Sequence, residues 1–235
     1  MKQLFFLCVT CLAISCTTVA QNKDAVEPSG TVVTREINLK PFTKLKASGV
    51  YELVLKQGAD ESIRIEADEA LQAYFTIREG VNELEINTEK LKNIRWREGF
   101  KMKVYLTYKN LERMDLNMVG NVRSEGSLQF TQLTIDHNGV GNVTLDLKGN
   151  ELNIENSSVG NITLTGRAQQ ARFVNSGVGN LRAGDFEVEE AVVDNTGVGN
   201  AEINASKKIT ANDSFLGKVR NRGGATLRTK KKVVI

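Results

Sequence analysis

The residues best suited to chemistry form a regularly spaced series of carboxylates in the second half of the chain. Asp115, Asp136 and Glu155 follow one another at steps of 21 and 19 residues, and Asp194 continues the series after Val174. Carboxylates stacked about 5 Å apart repel, and a bound cation or a raised pKa would relieve that repulsion. Asp136 and Glu155 are therefore weak candidates for a metal site or a glycan-cleaving pair. The interruption at Val174 favours the simpler interpretation, a solvated outward column.

Two other features contain side chains of the kind used in catalysis or recognition. His137 is the only histidine, and because it lies among the asparagines of a repeat we expect a structural role for it. An aromatic and basic cluster off the regular repeat consists of Arg95, Trp96, Arg97 and Phe100. This cluster is suited to stacking on a sugar ring or a partner protein, and it is also suited to packing as an end cap. No Ser-His-Asp set can be argued from one histidine, and we predict neither a catalytic residue nor a cofactor.

A repeat positions these residues and governs the chain from about 111 to 221. Val-Gly-Asn recurs five times at steps of 21, 19, 19 and 20 residues, and Leu216-Gly217-Lys218 is a worn sixth copy 18 residues later. A steady period of this length indicates a repeat architecture. The glycine and asparagine of each copy are predicted to form a structural turn: Gly120 and Asn121, Gly141 and Asn142, Gly160 and Asn161, Gly179 and Asn180, Gly199 and Asn200.

The residues around each turn align in columns. With the valine of each copy as position zero, positions −7, −5, 0, +3 and +5 are mostly apolar and the residues between them are mostly polar. This period of two predicts short strands on either side of the turn, with the valine pointing inward. Such a unit can bury its apolar face only by stacking on its neighbours. We therefore predict an all-β fold, a β-solenoid with coils of about 19–20 residues, in which asparagine side chains form ladders at the bends.

The repeat also extends upstream in a less regular form. Residues 48–58 align in register with 138–149, which places Val50 at position zero. The 69 residues between Val50 and Val119 leave room for about three further coils with insertions. Within them, residues 69–74 form the one convincing helical turn.

The N-terminal segment predicts export. Residues 1–20 have a short positive start, a short apolar run and small residues before a cleavage point, as in a signal peptide. All three cysteines fall inside this segment, so the mature chain would have no disulfide. A lipobox ending at Cys16 is the alternative, and lipidation there would tether the protein to a membrane. Residues 21–30 read as a flexible leader, and 31–235 as a single solenoid domain.

The first coil and the later glycine-rich turns resemble a known family. Residues 30–35, Ser48-Gly49-Val50 and Ser176-Gly177-Val178-Gly179-Asn180 are similar to the putative auto-transporter adhesin, head GIN domain family. The resemblance covers nearly all of the chain from Thr31 and implies an exported, Bacteroidetes-type protein with a single-stranded right-handed β-helix. It implies no catalytic residues. Arg222-Gly223-Gly224-Ala225 departs from the Gly-x-Pro element that the family often has at this place.

These observations favour a non-catalytic, adhesin-like protein of the periplasm, outer membrane or cell surface that binds a protein or a glycan. A glycan-active enzyme and a purely architectural envelope protein are the alternatives. Lys and Arg number 31 against 28 Asp and Glu. This near balance does not suggest a nucleic-acid partner, since such proteins usually concentrate basic residues on one face.

Overall fold

The computed structural model describes Val26 and residues 29–93, 101–214 and 216–229. The predicted signal peptide, the alternative lipid site at Cys16 and most of the leader lie outside these residues. So does the cluster of Arg95, Trp96, Arg97 and Phe100, and all of these stay predictions. Among the described residues, no helix is long and apolar enough to span a membrane.

In the described part of the chain, fifteen strands join in one continuous sheet that winds into a β-solenoid of about six turns. The same residues include two short 3₁₀ helices in the N-terminal part, η1 (Glu69–Tyr74) and η2 (Glu89–Asn93). The strands are β1 (Val32–Asn38), β2 (Lys44–Val50), β3 (Glu52–Gln57), β4 (Ser62–Asp68), β5 (Thr76–Glu79), β6 (Glu83–Asn87), β7 (Met102–Tyr108), β8 (Arg113–Val119), β9 (Val122–His137), β10 (Val143–Asn156), β11 (Ile162–Asn175), β12 (Leu181–Asn195), β13 (Ala201–Asp213), β14 (Val219–Asn221) and β15 (Leu227–Thr229).

Strands β9 to β13 stack in parallel, each on the equivalent strand of the preceding coil. The apolar columns therefore merge into one core: at position −5, for example, Ile135, Ile154, Phe173 and Val193 are all buried. This confirms the predicted all-β solenoid. Between turns the chain runs as one strand of 13 to 16 residues rather than as two short ones. Register shifts near Asp146 and Thr165 absorb the unequal lengths of the coils.

The prediction that the valine of each Val-Gly-Asn motif points inward is wrong. The five valines are 45% to 53% exposed, and each pairs with the valine of the next coil through an isolated parallel bridge. The reason is the alternation of side chains along an extended chain. The buried columns at −5, −3, −1, +3 and +5 are odd-numbered, so position zero faces out.

The prediction of about three further coils between Val50 and Val119 is also wrong. Strand β2 pairs directly with β8, so that Val50 lies opposite Val119, and β3 pairs with β9. The upstream alignment in register is confirmed, but the intervening residues lie on the other side of β2 and β3. There, β6 and β7 form one parallel coil, and antiparallel pairings of β1, β4 and β5 cover the exposed end. A solenoid end needs such a cover because its unpaired strand edge would otherwise recruit other chains.

At the opposite end, the side chain of Asn221 completes the last corner. Its Oδ1 accepts a hydrogen bond from the amide of Ala205 at 2.8 Å, and its Nδ2 donates to the carbonyl of Ala225 at 2.7 Å. Strands β14 and β15 both pair with β13, and the chain between them leaves the sheet. The Asn221 side chain supplies hydrogen bonds to the backbone in this gap.

The turn glycines allow successive coils to approach closely. Gly160 has a φ of +150°, and a Cβ atom at this position would lie 1.9 Å from the carbonyl oxygen of Gly141. At the other turns of the repeat, too, a backbone carbonyl oxygen of the preceding coil lies where the Cβ atom would be. Glycine is therefore required here both for its backbone conformation and for the lack of a side chain.

We expect Gly160→Ala to lower the free energy of unfolding by at least about 3 kcal/mol, because the clash is with rigid backbone on the adjacent coil. Gly126→Ala is the matched control, since Gly126 also has a positive φ, +81°, but no atom lies within 4 Å of its would-be Cβ. The control should cost about 1 kcal/mol from backbone strain alone. Denaturant unfolding of both variants measures the difference, and equal losses would show that close coil approach is not the constraint.

Candidate functional site

A buried ladder of hydrogen-bonded amides runs along the inside of one bend. Asn156 Nδ2 donates to Asn175 Oδ1 and Asn175 Nδ2 donates to Asn195 Oδ1, both at 2.7 Å. Asn195 Nδ2 then donates to the carbonyl of Gly199 at 2.9 Å. A carbonyl oxygen only accepts, so this last contact fixes the orientation of every amide in the column. This confirms that asparagine side chains form a ladder at a bend, and the ladder, at position −3 relative to the valine, lies inside the protein.

His137 is the first member of this ladder, as predicted. Its Nδ1 lies 3.0 Å from Asn156 Oδ1, which is an acceptor, so Nδ1 carries the proton. Its Nε2 has no hydrogen-bonding partner among the described residues, and the ring is only 2% exposed. Burial lowers the pKa of His137, and the hydrogen bond to Asn156 opposes that shift in part. The imidazole is therefore neutral and structural, and it is poorly placed to act as a base towards a substrate.

A second asparagine ladder, at +2, lies on the surface. Each Oδ1 accepts the backbone amide of the next asparagine along the column; the amide of Asn161, for instance, donates to Asn142 at 2.9 Å. The ladder runs through Asn121, Asn142, Asn161, Asn180 and Asn200 to the amide of Lys218. These amides have left the strand ladder at the turn, and the side chains supply their partners. The turn residues singled out in the sequence are thus scaffold residues.

The outward carboxylates form the column that the sequence predicts. Asp115 pairs with Asp136 across strands, and Asp136 pairs with Glu155. Arg113 binds both aspartates, with its Nε 2.8 Å from Asp115 Oδ1 and its Nη2 in an ion pair with Asp136. Burial and the neighbouring carboxylates raise the pKa of Asp136, and Arg113 opposes them. A guanidinium thus relieves the repulsion, and no group of three or more His, Cys, Asp or Glu side chains among the described residues is arranged to hold a metal ion.

A groove of about 870 Å³ crosses five coils, from β9 to β13, on another face. Along it lies one column of residues, each paired with the next across adjacent strands: Gln129, Lys148, Arg167 and Glu187. The half-buried ring of Phe130 occupies the space above Gly149, where a Cβ atom would lie 2.5 Å from the ring. Asn150, Gln169, Asn204 and Ser206 add amides and a hydroxyl to the lining. Concave surfaces with convergent polar groups and an aromatic ring are typical ligand sites.

Sequence reasoning did not identify this groove. The sequence contains one indirect signal for it, at equivalent places on two successive coils. Phe130 is an aromatic residue, and Gly149 has no side chain, at a position where the neighbouring residues are mostly polar. The structure brings Asp136 and Glu155 together as neighbours. It does not bring either to the groove, whose lining residues are different ones.

The fold and the turn columns define a β-solenoid protein with glycine and asparagine at its repeated turns. Residues 41–225 match the family described as "Putative auto-transporter adhesin, head GIN domain", and the chain belongs to that family.

Solved structures with the same fold carry similar names. A putative adhesin from Bacteroides fragilis is 27% identical, with a TM-score of 0.76 over 88% of this chain and 100% of the other. A putative adhesin from Parabacteroides distasonis is 18% identical, with a TM-score of 0.65 over 88% and 96%. A putative lipid binding protein from Parabacteroides distasonis is 18% identical, with a TM-score of 0.58 over 88% and 100%. The comparison with curated proteins gives no match.

We expect the buried ladder to contribute more stability than the exposed one. Asn175→Ala leaves Asn156 Nδ2 and Asn195 Oδ1 buried without their partner, which should lower the free energy of unfolding by about 2–5 kcal/mol. Asn180→Ala in the surface ladder should cost about 1 kcal/mol, because water can replace the lost partner. Chemical denaturation of the two variants is the measurement, and a greater loss in Asn180→Ala would contradict the assignment.

His137 should make stability depend on pH. Its pKa in the folded protein lies below the ordinary value of 6.5, so the unfolded chain takes up the proton first as pH falls. The contribution is fully present above about pH 6.5 and decreases as pH drops from there toward the folded pKa. In His137→Asn, denaturation midpoints measured between pH 7 and 5 should fall less than in the natural protein. An identical pH slope in that range would assign the effect to other groups.

Proposed function

We propose that this protein is a non-catalytic, exported binding protein of the cell envelope, with an adhesin-like role towards a glycan or a protein. The observation that carries the proposal is the groove across five coils, with amide, charged and aromatic side chains on a rigid sheet. Membership in the head GIN domain family and the adhesin names of related structures support it. Localisation in the periplasm, outer membrane or cell surface belongs to the same proposal.

The groove chemistry favours a glycan within this class. Amide groups at Gln129, Asn150 and Gln169 both donate and accept hydrogen bonds, as sugar hydroxyls do. Lys148 and Arg167 have no ion-pair partner among the described residues, so both cations are available to a ligand oxygen. Phe130 supplies an apolar surface beside these polar groups.

The test is a glycan array with the intact protein, followed by titration of each glycan retained. Arg167→Ala and Phe130→Ala should each weaken binding by about tenfold or more, because each removes a charged or apolar contact. Lys46→Ala is the control, since Lys46 is exposed and pairs with Glu83 on the N-terminal coils, away from the groove. If both groove variants bind the retained glycan as the natural protein does, the glycan binds outside the groove. If no glycan on the array is retained, the proposed glycan ligand is wrong.

A further inference from the structure

The groove runs along the solenoid axis between two rows of outward side chains. The second row lies two positions further along each strand than the first and runs from Thr131 to Ser206. All members of both rows are polar or charged, and all but the half-buried Asn204 are exposed. In the first row, residues of successive coils are paired directly across strands: Gln129, Lys148, Arg167, Glu187 and Asn204. The groove therefore presents polar groups on both sides at every coil.

The dimensions of the groove match an extended sugar chain that lies along it. Four strand spacings separate the first coil from the fifth, so each row is about 19 Å long, and the rows lie about 7 Å apart because they are two residues apart on each strand. A sugar residue in an extended polysaccharide is about as long as one strand spacing, ~4.8 Å. An extended peptide advances only about 3.3 Å per residue and would fall out of step with the coils. The repeat thus fits one sugar to each coil.

Two neighbouring members of the first row are cations. Lys148 and Arg167 lie directly opposite each other on β10 and β11, and like charges at such positions repel. Neither forms an ion pair with a described residue. Asp146 lies two residues before Lys148 on β10 but does not line the groove. An anionic group seated between the two cations would relieve their repulsion and accept charge-assisted hydrogen bonds from both.

The next member of the row limits how many acidic groups the groove accepts. Glu187 lies opposite Arg167 on β12 and forms no ion pair within the described part of the chain, so its carboxylate repels an acidic group above β12. Glu189, in the second row of the same coil, is compensated by Lys207, whose Nζ lies 2.8 Å from its Oε2. The groove is therefore suited to an acidic sugar next to a neutral one, rather than to an acid on every sugar.

We propose that the groove holds an internal stretch of a linear acidic glycan, about four to five sugars long, with an anionic group between Lys148 and Arg167. The chain lies along the solenoid axis with one sugar to each coil, and a neutral sugar lies against Glu187. This inference rests on the proposed glycan-binding function and adds the charge, shape and length of the ligand. Carboxylates and sulfates share the required chemistry, and the experiment distinguishes them.

Titration of the full chain with linear oligosaccharides tests the charge of the ligand. The probes are hyaluronan, with a carboxylate on every second sugar, galacturonan, with one on every sugar, chondroitin with and without its sulfate groups, and neutral xylan. We expect at least one acidic probe to bind at least about tenfold more tightly than xylan, and Lys148→Gln to remove most of that difference. Tighter binding of chondroitin with its sulfate groups than without them would identify the anion as sulfate, and equal binding would identify it as carboxylate.

Arg182→Gln is the matched control, since Arg182 is exposed and has no ion-pair partner among the described residues but lies outside the groove. Xylan bound as tightly as every acidic probe, or an acidic preference unchanged in Lys148→Gln, would overturn the inference and leave the proposed function in place. No binding to any probe or to any glycan of the array would overturn both. Glu187→Gln should strengthen binding of galacturonan by about threefold or more, because it removes a repulsive carboxylate. Unchanged binding of galacturonan in that variant would overturn the place given to the neutral sugar.

A length series of the tightest acidic probe tests the orientation of the chain. Affinity should rise by at least about tenfold from the disaccharide to the hexasaccharide, because each added sugar reaches another coil. It should then stay level for longer chains, which extend beyond the groove. A disaccharide that binds as tightly as the hexasaccharide would show that the groove takes a single sugar or a chain end, and would overturn the arrangement along the axis.

Discussion

The structure depends on the close stacking of backbone on backbone at the repeated turn. Each coil must lie one strand spacing from the next along its whole length, and the turn is where side chains would first prevent this. The carbonyl of Gly141 occupies the place that a Cβ at Gly160 would need, and the other copies repeat this contact. Once that spacing is set, strand pairing, the merged apolar core and the two asparagine ladders follow at the same interval.

The two ladders solve one problem in two environments. At every bend the backbone leaves the sheet, and its polar groups need other partners. On the surface, the +2 asparagines bond the backbone of the next coil directly, as Asn142 does with Asn161. In the interior, the −3 asparagines bond one another, in a chain whose direction is set by the carbonyl of Gly199. The rigid frame that results leaves the outward columns free to vary, and the proposed binding groove lies there.

The features that recur with the repeat were predicted correctly from the sequence, with the exception of the valine, and the features outside the repeat were not. The solenoid, the ladders and the place of His137 followed from residues that recur at fixed positions. The valine at position zero was placed inward because it is apolar, although the odd-numbered buried columns implied the opposite face. The path between Val50 and Val119 was missed because capping a solenoid requires antiparallel strands, and these have no repeat to reveal them. The groove was missed because it is formed by residues such as Phe130 and Arg167, which meet only across coils.

Because residues of successive coils align in columns, the length of this solenoid can change only in whole coils. A coil inserted or removed between β9 and β13 leaves every column in place, whereas a slip of one residue would turn the buried asparagines to water and the outward charges into the core. The copies here differ by up to three residues, and strand irregularities absorb the difference before the next turn. The solenoid can therefore lengthen only by whole coils, and each added coil would extend the groove without any change to the residues already in place.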